Sequence, residues 1–156
     1  MISRFVRRAV VLGVMVASSL PARRGDAIAA HTYGWKFPPD DPAQLERLNF
    51  ARVELLRQVM ARNGDAAKSI FITETGWNDS PRWTKAVRPA QRIQYTLRAL
   101  QIAATEWPWL KAMCLWTFRL PSPSHDYNDY YTLVDTSFHP KPIYDQIRAH
   151  AGELAR

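Results

Sequence analysis

The chain has 156 residues, enough for one domain with its own hydrophobic core, and its 47% hydrophobic and 22% charged content excludes a largely disordered polypeptide. A net charge of +7 would suit nucleic acid, but Arg4, Arg7, Arg8, Arg23 and Arg24 fall in the first 24 residues, where no acid occurs. The rest is close to neutral and nowhere interleaves arginines with aromatics as a stacking groove would, so no nucleic-acid partner is expected.

Residues 1–8, "MISRFVRR", are basic, and Ala9 to Leu20, "AVVLGVMVASSL", are apolar with small residues at the end. That is the layout of a secretory signal peptide, and the run is too short to span a bilayer, so no stable membrane insertion is expected. Cleavage would follow Ala22, before two arginines, or Ala29, inside a predicted strand. The other reading of this stretch is a non-native start to the chain. Residues 1–25 are therefore set apart as a leader, with residues 26–156 as the folded domain. Secretion or a periplasmic location follows if residues 1–22 act as a signal, and a cytoplasmic one if they do not.

From Ala27 the run "AIAAHTYGW" reads as a strand, followed by the proline-rich loop "KFPPDDP". A helix is predicted next, with Asp41 as N-cap, Pro42 at its first position and Gln44 completing a capping box. Its apolar residues would be Leu45, Leu48, Leu55, Leu56, Val59 and Met60, and Asn63-Gly64 would stop it. "SIFITE" resembles a strand buried on both faces, as in a parallel sheet. A loop leads to a second helix carrying Ile93, Leu97, Leu100 and Ala104, with Pro108 past its end. "AMCLWTF" begins the third unit and opens into a long loop from about Arg119 to Pro140. A last helix starts near Pro142, with Tyr144, Ile147, Ala151 and Leu154 on one side.

Strand, loop and helix repeated three times predict an α/β fold with a parallel sheet. His31, Glu74 and Trp116 lie 43 and 42 residues apart, each at or near the C-terminal end of its strand. In such folds that end carries the loops that build sites.

Glu74, at the end of a buried strand, has the placement of a nucleophile, acid or base; the same position also suits a salt bridge or a loop cap. Tyr33 and His31 end the preceding strand and are candidate donors to its carboxylate. Trp116, on the following strand, offers an apolar face of the kind on which sugar C–H groups pack, and Trp77, Trp83, Tyr127, Tyr130 and Tyr131 sit in adjoining loops. Taken singly, each aromatic is more simply a core residue. Cys114, the one cysteine, lies between Met113 and Leu115 and reads as a small buried hydrophobe. His31, His125, His139 and His150 have no zinc-pair spacing, so neither a metal nor another cofactor is expected.

The stretches "HTYGW", "FITETGWN", "LWTF" and "HPKPIY" together resemble the C-terminal part of clan A glycoside hydrolases, retaining (β/α)8 TIM-barrel enzymes, nearest the cellulase-like and xylosidase-like members. The resemblance covers roughly Asp26 to His150, and E-x-G-W is its most specific element. It implies that the three units are the sixth to eighth of a barrel, hence an incomplete barrel, and that the substrate is a carbohydrate. It implies Glu74 as the nucleophile, Tyr33 as the residue that orients it, and His31, Trp116 and Trp77 as substrate-binding residues.

A retaining glycosidase needs a second carboxyl group about 5 Å from the nucleophile, to protonate the departing oxygen and later activate water. In the family that glutamate follows an asparagine on the fourth strand, and no Asn-Glu pair occurs in this sequence. Glu46, Glu54, Glu106 and Glu153 read as helix-surface residues. The expectation is a glycosidase-type fragment, inactive alone, whose partner would be a missing N-terminal half-barrel. The competing expectation is a carbohydrate-binding remnant without catalysis. An open nucleotide-binding sheet is disfavoured by the lack of a G-x-G-x-x-G or G-x-x-x-x-G-K loop.

Overall fold

The computed structural model describes residues 26–154, so the leader expected over residues 1–25 lies outside the described residues. Three parallel strands form one sheet in the order β1 (Ala27–Tyr33), β2 (Ser69–Gly76), β3 (Leu110–Leu115). They are followed in turn by α1 (Val53–Arg62), α2 (Pro89–Thr105) and α3 (Pro142–Leu154), giving the α/β order of three strand–helix units.

Alternate residues of the strands build the core. Ile70 and Ile72 of β2, with Leu110 and Met113 of β3, are buried in one cluster with Val53 and Met60 of α1, Leu100 of α2 and Ile147 of α3. The intervening Phe71, Thr73, Ala112 and Cys114 stay half-buried. The strands are thus buried on the helix-covered face rather than on both, because the described residues supply no layer against the other. The same placement leaves Cys114 half-buried rather than enclosed, and burial pushes its thiol pKa up.

The first helix starts later than its sequence predicts. Residues Asp41 to Asn49 are irregular, Phe50–Arg52 form a short 3-10 turn, and α1 begins only at Val53. The Asn49 side-chain amide explains this, since it donates to the Asp41 carboxylate and to the backbone oxygens of Asp41 and Pro42 at 2.5, 3.1 and 2.8 Å. Asp41 also takes a 2.6 Å bond from Arg47. Its carboxylate therefore fastens a loop instead of capping a helix, and Leu45 and Leu48 are left 69% and 56% exposed. Asn63-Gly64 does end α1 as expected.

On α2 the fully buried residues are Arg92, Thr96, Ala99, Leu100, Ile102 and Ala103, and the predicted Ile93 and Leu97 pack partly buried against the same core. A charged residue holds an inward position there because both terminal nitrogens of its guanidinium meet oxygens, while Nε finds no partner. Nη1 lies 3.3 Å from Asp79, and Nη2 donates to the carbonyls of Tyr131 and Thr132 at 2.6 and 3.1 Å. Arg92 thereby pins the segment after β3 against α2.

Candidate active site

Parallel pairing sets the site. β1 and β2 run in register with His31 opposite Glu74 and Tyr33 opposite Gly76, after an irregularity between Ala30 and His31. These residues lie at the C-terminal ends of their strands, and Trp116 follows β3 directly, its amide donating to Thr75 O at 2.8 Å.

The Tyr33 hydroxyl donates to Glu74 Oε2 at 2.8 Å. His31 Nδ1 lies 3.4 Å from the same oxygen, an ion pair when the imidazole is protonated. Both contacts fall on Oε2, and Oε1 carries no hydrogen bond or ion pair to the described residues. The carboxylate is about one-third open to solvent, with a side-chain exposure of 30%. Burial, the bond to Glu74 and that group's charge push the Tyr33 pKa well up, so the phenol is a permanent donor at physiological pH.

Gly76 follows two residues later with φ +154, and a Cβ there would come within 3.0 Å of the Trp116 carbonyl oxygen. Only glycine lets the end of β2 turn this tightly beneath Trp116. Trp116 itself is 36% exposed and flanks the strand end, where an aromatic platform was expected.

Trp77 departs from its expected role. It is 1% exposed, its indole N–H donates to Phe37 O at 2.8 Å, and its ring centroid lies 5.6 Å from that of Phe50. A ring enclosed in this way has no face to offer a sugar, and it is part of the core. Gly34 makes room for it, since a Cβ on Gly34 would stand 1.9 Å from the indole.

A wall of aromatic rings extends from Tyr33. Its ring meets Tyr131 edge-on at 5.4 Å, Tyr131 meets Trp83 at 6.2 Å, and Trp83 stacks on Tyr127 at 4.5 Å and lies 5.5 Å from Trp35. Asn78, 1% exposed, ties this wall together by donating to Tyr127 O at 2.7 Å and accepting from the Ser80 amide at 2.8 Å. Sequence reasoning missed Trp35, Asn78 and Arg92 as supports of the site. The available signals were an asparagine directly after E-x-G-W and an arginine within an apolar helical stripe.

Among the described residues no other carboxylate bonds into the Glu74 site. Glu54 accepts from the Trp107 indole at 3.0 Å, and Glu106 pairs with Arg98 at 2.9 Å. No group of three or more histidine, cysteine or carboxylate side chains among the described residues is placed to hold a metal ion.

No protein-family model matches the sequence, and no curated protein matches it. Solved structures do. A family 39 glycoside hydrolase from the gut symbiont Bacteroides cellulosilyticus WH2 aligns with a TM-score of 0.60 and 19% identity over 83% of this chain and 27% of its own. A GH2 β-galacturonidase from Eisenbergiella tayi, bound to galacturonate, aligns at 0.56 and 17% identity over 82% of this chain and 24% of its own. The β-glucuronidase of Faecalibacterium prausnitzii aligns at 0.51 and 12% over 81% and 22%. The chain thus spans between 22% and 27% of the length of these structures, and what it shares with them is a glycoside hydrolase-like fold.

Proposed function

We propose that the chain carries the nucleophile side of a retaining glycoside-hydrolase site of clan A type, built on what would be strands six, seven and eight of a (β/α)8 barrel. Glu74 is the nucleophile, Tyr33 orients it, and His31 and Trp116 contact the sugar. The observation that carries this reading is the division of labour on the Glu74 carboxylate. Oε2 is held by Tyr33 at 2.8 Å while Oε1 has no hydrogen bond or ion pair among the described residues. A carboxylate fixed through one oxygen presents the other to an anomeric carbon without having to reorient.

In the double displacement, Oε1 attacks the anomeric carbon as the glycosidic bond breaks, and the departing oxygen takes a proton from the acid/base group. Water, activated by the same group, then releases the sugar. The exposed ring of Trp116 is suited to pack beneath the sugar ring. Among the described residues no glutamate bonds into the site as an acid/base group: Glu54 and Glu106 are engaged away from it, and Glu46 lies in the irregular segment before α1. A complementing half-barrel pairing with the outer edges of β1 and β3 would supply that group.

Leaving groups of different basicity separate the two halves of the mechanism. With dinitrophenyl glycosides, whose leaving group needs no proton, the chain should show slow turnover that azide accelerates and Glu74→Gln abolishes. Unsubstituted phenyl glycosides should not be cleaved. Glu74-dependent cleavage of phenyl glycosides would contradict the missing acid/base, and dinitrophenyl turnover unaffected by Glu74→Gln would contradict the nucleophile.

A further inference from the structure

The same loops that surround Glu74 wall a second cleft, of about 830 Å³, that the chemistry above does not use. Its size falls within the range of small-molecule sites. Lys36 reaches it from the loop after β1, Asp79, Trp83 and Arg88 from the loop after β2, Arg92 from the first turn of α2, and Lys141 from the segment before α3. Four cationic side chains and one carboxylate therefore face one space.

The carboxylate is already spoken for, since Asp79 pairs with Arg92. Lys141 is not matched in this way. Its ammonium donates to Thr132 Oγ1 at 2.6 Å and Asp129 O at 3.1 Å, both uncharged oxygens, and it forms no ion pair among the described residues. The carboxylates nearby are committed elsewhere. Asp129 accepts from the amides of Ser124 and His125, both at 2.8 Å, and Asp135 from those of Ser137 and His139 at 2.8 and 2.9 Å. Burial first, and then the Arg92 guanidinium, push the Lys141 pKa down, as expected for a half-buried cation without a counter-ion.

Lys36 and Arg88 stand exposed at the rim and form no ion pair among the described residues. The positive end of α2 opens here too, because its first intrahelical bond runs from the Arg92 amide to Arg88 O at 2.9 Å. An aromatic wall is present in Trp83, which is held by its stack on Tyr127. An aromatic ring beside unmatched cations suits a sugar unit that carries an anionic group better than a neutral one.

We propose that this cleft binds an anionic sugar unit, bearing a carboxylate or a sulfate, of the saccharide whose glycosidic bond lies at Glu74. The inference rests on the glycosidase reading, and it joins the two places through the ring contacts from Tyr33 to Tyr131 to Trp83.

Titration calorimetry of the full chain at low salt tests it, with trigalacturonate, a sulfated galactotriose and neutral galactotriose as probes. An anionic trisaccharide should bind at least about tenfold more tightly than the neutral one, with the difference shrinking as salt is added. The tighter of the two anionic probes identifies the group as carboxylate or sulfate. Lys141→Met should erase most of the preference. Because Lys141 also holds local structure, the exposed pair Lys36→Gln with Arg88→Gln provides a second variant, which should reduce the preference several-fold at unchanged circular dichroism. Equal binding of all three probes would overturn the anionic cleft and leave the glycosidase reading standing. Binding of sulfate ion with none of the trisaccharides would overturn the anionic-sugar cleft, as would no binding at all, and the glycosidase reading, which names no sugar, falls only with Glu74.

Discussion

Tyr33 is the donor that fixes Glu74, and its proton has consequences for stability. Its pKa is raised above the ordinary value of 10.0 by burial, by the bond to Glu74 and by that carboxylate's charge. The folded state therefore favours the protonated phenol. The resulting stability is complete below pH 10 and is lost as the pH rises from there through the folded value, since only the unfolded chain ionises in that window. Replacing Tyr33 with Phe removes this dependence, whereas Tyr131, whose pKa burial also raises, titrates in both proteins. Denaturant unfolding at about pH 9 and about pH 11 should show wild type losing more stability than Tyr33→Phe; equal losses would contradict the assigned bond. The trio of His31, Tyr33 and Glu74 was readable from sequence because parallel strands place their C-terminal ends side by side. The burial of Trp77 was not, because E-x-G-W does not say which way its tryptophan turns. The clue lay 43 residues upstream in Gly34, where the indole occupies the space of a Cβ.

At the level of elements, periodicity located the three strands and three helices of the described residues but misjudged one start and missed the polar residues at the centre of one buried face. Asp41-Pro42 has the composition of a helix start, yet Asn49 offers the Asp41 carboxylate and backbone a set of bonds that closes a loop instead. Competition of this kind between a local cap and a contact eight residues away does not show in a pattern of apolar residues. On α2, the inward turn of Arg92 depends on the carbonyls of Tyr131 and Thr132, about forty residues later in the chain. Arg92→Met should leave the Thr132 carbonyl and the Asp79 carboxylate without this partner, Tyr131 O keeping the Thr117 amide at 3.3 Å, and cost about 3 kcal/mol in urea unfolding. Exposed Arg88→Gln should cost much less, about 0.5 kcal/mol or under. A loss at Arg92 as small as that at Arg88 would show that the segment after β3 is held by other contacts.

Across the whole molecule, no further strand among the described residues pairs with the outer edges of β1 and β3, and half-buried residues line the face away from the helices. The sequence made the α/β order plain because each unit carries its own strand and helix signals. It did not make plain which face of the sheet lacks cover, because that depends on how many layers the fold brings together. The site is correspondingly one-sided: a carboxylate at the end of β2, a tyrosine donating to it, an exposed tryptophan after β3, and no second carboxyl group bonded there among the described residues. The central claim is that Glu74 is a nucleophile, and covalent trapping tests it most directly. The chain is incubated with a panel of 2-deoxy-2-fluoroglycosyl fluorides, whose leaving group needs no acid catalyst, and then digested for mass spectrometry. The account predicts that at least one sugar adds its glycosyl mass to the peptide containing Glu74, and that Glu74→Gln takes up none. Labelling of another residue, or labelling that persists in Glu74→Gln, would contradict it.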